Sequence, residues 1–184
     1  MIKKFRSLII ACCISLISMQ ALSQPKFDVK QVKAGFITNF IAFTRWPENQ
    51  LTPQKKYFLL CAAGKDPYSD IFKQYPNSGI HGRSLEVKYL TRNVLKEDIK
   101  SCDVLIILLE NPKAISKLLN KVANLPVLTI SEINNYQSQK TMINLDNKNN
   151  RLVFSVNRQL AKQVGLSFSS GLLRLAYKVS GEEG

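Results

Sequence analysis

The side chains best suited to covalent or metal chemistry are sparse in this sequence. His81 is the only histidine among 184 residues. It lies between glycines in Gly79-Ile80-His81-Gly82, a turn-forming stretch with no Ser or Cys nucleophile motif beside it. A single histidine excludes the multi-histidine metal centres common in hydrolases. The chain contains no G-x-S-x-G, no Walker A loop and no G-x-G-x-x-G. Its four cysteines, Cys12, Cys13, Cys61 and Cys102, include no C-x-x-C pair, so redox catalysis and zinc binding are both poorly supported. One place has the position of a ligand site. Gly64-Lys65-Asp66-Pro67 follows a predicted strand and precedes a predicted helix, where α/β folds take ligands, and a helix N-terminus beside Lys65 could hold an anion. An ordinary βα turn accounts for the same residues. The expectation is a protein with no catalytic residues, no cofactor and no metal, hence not an enzyme.

Composition narrows the class further. With 45% apolar and 21% charged residues the chain is an ordinary packed protein and not a disordered one, and its length suits one domain. The formal net charge of +13 is the unusual quantity. The basic residues are scattered, without the aromatic interleaving of a single-strand binder and without any known nucleic-acid motif, so no nucleic-acid partner is expected. Lys113, Lys117 and Lys121 align on one helix face, which reads most simply as a solvated face.

The N-terminus indicates export. Lys3, Lys4 and Arg6 precede an apolar stretch from Leu8 to Met19, and Ala21-Leu22-Ser23 supplies small residues for cleavage. Residues 1–23 are read as a removed secretory signal. A competing lipoprotein box, Ile9-Ile10-Ala11-Cys12, would lipidate Cys12, but it leaves too short an apolar region before it. Cleavage takes three basic residues and no acidic one, which leaves a net charge of +10 and two cysteines, Cys61 and Cys102. An even pair in an exported chain invites a disulfide, and closing its loop stabilises the fold by about 4 kcal/mol in the chain-entropy model. Two reduced core thiols are the alternative. Cys61 falls late in its predicted strand and Cys102 at the start of its own. Such ends lie apart in adjacent parallel strands, whereas a bridge needs Cα atoms within about 7 Å.

The elements that would position these residues alternate. Asp28 caps a helix whose apolar stripe is Val29, Val32, Phe36, Phe40 and Phe43, widened by Ile37 and Ile41, and which Trp46-Pro47 ends. Strands are expected at 56–63, 85–90, 104–109 and 127–130, the third apolar on both faces as in a central parallel strand. Helices are expected at 68–74, at 96–100 and from Asn111-Pro112 onward with Ile115, Leu118, Leu119 and Val122 buried. Thr141 to Leu145 and Leu152 to Val156 read as a hairpin, and Arg158 to Val164 and Ser170 to Val179 as closing helices. The pattern predicts an α/β fold in three layers. A mostly parallel sheet is flanked by helices, with an antiparallel C-terminal hairpin at or near one edge.

Three ordered segments carry a family resemblance. They are Val32-Lys33-Ala34-Gly35-Phe36-Ile37-Thr38-Asn39-Phe40-Ile41-Ala42-Phe43-Thr44-Arg45-Trp46-Pro47; Cys61-x-x-Gly64-x-Asp66-Pro67 with Gly82-Arg83 and Ser101-Cys102-Asp103-Val104 downstream; and Arg151-Leu152-Val153-Phe154-Ser155-Val156-Asn157 continuing through Gly165-Leu166-Ser167-Phe168 to Ala176. In this order the chain resembles the YfiR/HmsC family over nearly all of residues 24–184, taken as a single YfiR-like α/β domain. The resemblance implies a periplasmic repressor that binds the periplasmic sensor domain of an inner-membrane diguanylate cyclase and restrains cyclic di-GMP synthesis and biofilm formation. It also implies homodimers, and an outer-membrane lipoprotein that sequesters the repressor. The second cysteine pair of the best-known member has no counterpart in Gln139-Lys140-Thr141-Met142-Ile143-Asn144. The match of the hairpin segment to the family places the expected partner surface at Ile143, Phe154 and Asn157, with Trp46 as a further candidate. A periplasmic small-ligand sensor with its pocket near Gly64 and a divergent exported α/β enzyme are the competing readings. For an exported domain, the charge points to an acidic protein partner or an anionic membrane surface, and partner binding is then expected to weaken as salt rises.

Overall fold

The computed structural model describes residues 28–48, 50–51, 54–65, 68–73, 79–90, 99–132 and 140–181. The expected signal at 1–23, Cys12, the Asp66-Pro67 turn and most of the short helix expected at 96–100 lie outside the described residues. The elements run α1 (Val29–Ala42), β1 (Thr44–Arg45), β2 (Tyr57–Gly64), α2 (Ser69–Phe72), β3 (Ser84–Leu90), β4 (Val104–Leu108), α3 (Pro112–Val122), β5 (Leu128–Ser131), β6 (Ile143–Lys148), β7 (Arg151–Asn157), α4 (Arg158–Gln163), β8 (Ser167–Phe168), α5 (Ser170–Leu175) and β9 (Lys178–Ser180).

The apolar runs pair as their composition requires. A seven-stranded sheet has the order β3-β2-β4-β5-β6-β7-β9, with β3 through β6 parallel to one another. β6 and β7 form the expected antiparallel hairpin. Asn149 and Asn150 turn it with φ of 52° and 59°, a left-handed pair that asparagine tolerates. β4 is an interior strand, third of the seven, with Val104 through Ile107 fully buried, as a strand covered on both faces must be. Side chains alternate between the two faces. Phe58, Leu60, Val104, Ile106, Leu128 and Ile130 pack toward α1, while Cys61, Ala63, Leu105 and Ile107 pack toward α3. The three-layer α/β architecture is therefore as the sequence predicts. α3 begins as expected: Asn111 Oδ1 accepts from the backbone N–H of Lys113 and of Ala114, with Pro112 in the first turn.

Cys61 and Cys102 form a disulfide with a Cα–Cα distance of 5.9 Å. Cys61 lies inside β2, opposite Leu105, and Cys102 belongs to the turn closed by its N–H on the Ile99 carbonyl. The bridge thus joins a strand interior to the turn leading into the next strand, so the two strand ends need not be level. The following residue, Asp103, is fully buried, and the sequence pattern assigned it no role. Its carboxylate accepts from the Leu59 N–H at 2.8 Å, Lys55 Nζ at 2.6 Å and Gln50 Nε2 at 3.3 Å. It fastens the loop before β2 to the start of β4.

Two boundaries differ from the sequence pattern. α1 stops at Ala42, short of Trp46-Pro47. Thr44 and Arg45 leave the helix to pair with Phe168 and Ser167 in a separate two-stranded sheet, and the Thr44 hydroxyl donates to the Phe40 carbonyl at 2.6 Å. The helix expected over 170–179 ends at Leu175. The Tyr177 N–H donates to the Phe154 carbonyl, and β9 adds parallel to β7. The hairpin is therefore one strand in from the edge. An exposed strand edge recruits a partner through backbone groups, which side-chain periodicity does not report.

Candidate functional site

The four residues singled out as partner contacts fall in different surroundings. Ile143 is completely buried and packs in the core between sheet and α1. A side chain with no exposed surface cannot touch a partner, so this position is corrected from contact to core. Phe154 is only 4% exposed, with its ring 4.9 Å from that of Phe40 and 5.9 Å from that of Phe36. Asn157 caps α4, its Oδ1 accepting from the Leu160 N–H at 3.1 Å. Trp46 packs on Phe58 with ring centroids 5.2 Å apart, and its Nε1 is buried without an acceptor. Ile143, Phe154 and Trp46 are thus packing residues first, and Asn157 is a helix cap.

An exposed apolar surface lies beside them, on α1. The predicted stripe is rotated relative to the sheet. Ala34, Ile37, Phe40 and Ile41 are fully buried, but Val29 is 60% exposed, Val32 39% and Phe43 41%. A helix apolar on more than one side is normally enclosed on all of them, yet the described residues leave Val29, Val32 and Phe43 of this segment with substantial exposed surface. A groove of about 440 Å³ opens along this second face. It is lined by Val32, Phe36 and Phe43 from α1, by Leu172 and Leu175 from α5, and by Phe154 below. Leu175 is 72% exposed and Tyr177, just beyond it, 63%. The exposed residues are contributed by two segments more than a hundred residues apart in sequence, which is why no motif announces them.

Both walls are fixed in place. Lys33 on α1 forms an ion pair with Glu132, which directly follows β5, and the other carboxylate oxygen accepts from the buried Tyr68 hydroxyl. At the far end of α1, His81 Nε2 donates to the Ala42 carbonyl at 2.7 Å. The lone histidine therefore satisfies a helix-terminal carbonyl and has a structural task. α5 is capped by Ser169, whose Oγ accepts from the Leu172 N–H at 3.2 Å, and the Ser169 N–H donates to the Phe43 carbonyl at 2.9 Å. That last bond ties one wall of the groove directly to the other.

The other sequence candidates have different surroundings, and Asp66 and Pro67 lie outside the described residues. The strand order reverses between β2 and β4, the crevice where open α/β sheets take ligands. There Gly64 has φ of 121°, and an added Cβ would lie 2.5 Å from the Leu108 carbonyl oxygen. The space that glycine leaves is filled by the neighbouring strand's backbone rather than held open. Lys113, Lys117 and Lys121 are exposed on the outer face of α3. Among the described residues, no group of three His, Cys, Asp or Glu side chains is arranged to hold a metal, and no helix is long and apolar enough to cross a membrane.

The family described as YfiR/HmsC-like matches residues 30–177, a span that runs from the first turn of α1 to Tyr177 and so includes both walls of the groove. Among curated proteins, none matches this sequence.

Proposed function

The chain belongs to the YfiR/HmsC-like family, and on that footing we propose that it is a periplasmic negative regulator acting by binding. The family is periplasmic and regulates diguanylate cyclases without being catalytic. For this chain the reading is that it engages the periplasmic domain of an inner-membrane diguanylate cyclase and restrains cyclic di-GMP synthesis and biofilm formation. An outer-membrane lipoprotein that sequesters it, and a homodimer, belong to the same reading. Its main structural support is the open apolar face of α1. A folded protein gains nothing from leaving Val32, Phe36, Phe43 and Leu175 around a groove in water, whereas a binding protein does. The scarcity of nucleophiles and the structural use of the only histidine agree with a role in binding. Deleting the gene is expected to raise cellular cyclic di-GMP. An unchanged level would overturn the repressor reading.

A second reading has one observation in its favour. A cavity of about 590 Å³ is lined by Arg158, Gln159, Lys162 and Ser167 together with the apolar Leu166 and Phe168, a basic and half-apolar set that suits a small anionic ligand with an apolar part. A thermal-shift screen with inorganic phosphate and dicarboxylates tests it, and a stabilised melting temperature would support it.

A further inference from the structure

We propose that the groove between α1 and α5 receives an acid-flanked amphipathic helix of a partner protein, which specifies the chemistry of the contact left open by the regulatory reading on which it rests. Three observations lead to this occupant.

The first is length and periodicity. The open face of α1 runs from Val32 through Phe36 to Phe43, which at 1.5 Å per residue is about 17 Å, or three helical turns. Helices recognised in grooves present anchors at i, i+3 or i+4, and i+7, over just such a distance.

The second is backbone chemistry. The groove is walled by side chains of two helices, whose backbone groups are engaged within their own elements. An extended peptide laid there would find no ladder partners for its N–H and C=O groups. A helix satisfies its own backbone and brings only side chains to the contact. A bilayer surface fits less well, because the floor made by Phe40 and Phe154 lies below the rim and a flat surface would cover only Phe43, Leu175 and Tyr177.

The third is charge. The segments that build the walls, residues 29–43 and 170–178, carry Lys30, Lys33, Arg174 and Lys178 and no acidic residue, and Lys33 is paired with Glu132. No acidic residue lines the groove. Arg174 adjoins Leu175 in α5, and Lys178 follows Tyr177, both exposed. Lys148 Nζ stands 4.0 Å over the Tyr177 ring. Carboxylates flanking an apolar stripe would meet this field favourably and lysines would be repelled, which gives selectivity more than raw affinity.

The test uses the exported chain, residues 24–184, and stapled helical peptides of about 18 residues that share one leucine stripe and differ in flanking Glu or Lys. Binding is read by fluorescence anisotropy. At low salt the Glu-flanked peptide is expected to bind on the order of tenfold tighter than the Lys-flanked one, with the preference shrinking in high salt. Phe43→Asp and Leu175→Asp should abolish binding, and Leu175→Asp, at a side chain 72% exposed, should leave the melting temperature unchanged. Arg174→Glu should weaken the Glu peptide and strengthen the Lys peptide. Equal binding of the two peptides, a preference that survives Phe43→Asp, or association with phosphatidylglycerol vesicles in place of peptides would each overturn the inference. A parallel titration with the cyclase periplasmic domain separates the two levels. If that domain binds wild type and Phe43→Asp equally, the groove proposal fails and the regulatory reading stands. If the domain does not bind at all while the peptide preferences hold, the cyclase reading fails and the acidic-helix site stands.

Discussion

α1 and α3 lie on opposite faces of one sheet and handle their apolar residues differently. α3 buries Ile115, Leu118, Leu119 and Val122 and turns Lys113, Lys117, Asn120 and Lys121 to solvent. It is a one-sided helix, and the sheet satisfies it completely. α1 buries Ala34, Ile37, Phe40 and Ile41 and still has Val29, Val32 and Phe43 in water. The same sheet satisfies only half of it. The difference teaches where this molecule is finished and where it is not. The α3 side is closed by packing and by the Cys61–Cys102 bridge, whereas the α1 side retains exposed apolar area at Val29, Val32 and Phe43.

Mutations can break this contrast or sharpen it. The largest effect is expected on the closed side. Replacing both Cys61 and Cys102 by Ala should lower stability by about 4 kcal/mol in urea denaturation, while folded protein keeps its partner affinity. Loss of affinity without loss of stability would mean that the closed side is functional. Next come the sheet-facing residues of both helices. Leu118→Ala and Ile37→Ala should each cost roughly 3 kcal/mol by urea denaturation, because both leave cavities in tight packing. Asp103→Ala should cost about 2–4 kcal/mol by the same measurement, since it strands the Leu59 N–H and Lys55 below the sheet. The open face should behave in the opposite sense. Val32→Ser and Phe43→Ser should change stability by no more than about 0.5 kcal/mol, yet reduce cyclase-domain affinity in a pull-down or titration. A Phe43→Ser protein that unfolds readily would show that this face is core after all. The smallest effect belongs to Lys117→Glu on α3, expected to leave both stability and binding unchanged.

The helical period of α1 was legible, but its orientation was not. The stripe of Val29, Val32, Phe36, Phe40 and Phe43 contains the apolar residues that repeat most plainly, and Ile37 and Ile41 widen it. Nothing local distinguishes the residues that meet a sheet from those that meet a partner, because both are apolar for the same reason. On α3 the polar outer face removes that ambiguity, and its buried residues were readable one by one. The family resemblance drew attention to the hairpin segment, where Ile143 lies under α1 rather than at the surface. Leu175 and Tyr177 were missed as surface residues because 170–179 looked like one continuous helix. The edge of β7 instead draws the chain into β9 after α5.

What the sequence determined by itself was local and chemical. Apolar periods set the elements, asparagines set the hairpin turn and the α3 cap, and an even cysteine pair invited the bridge. Tertiary structure alone decided which face of α1 meets the sheet, how Cys102 comes within reach of Cys61, and that Val32, Phe43 and Leu175 share one groove. Each of these depends on contacts between residues far apart in the chain. Side-chain periodicity records whether a residue prefers burial, and only the assembled layers determine which neighbour provides it.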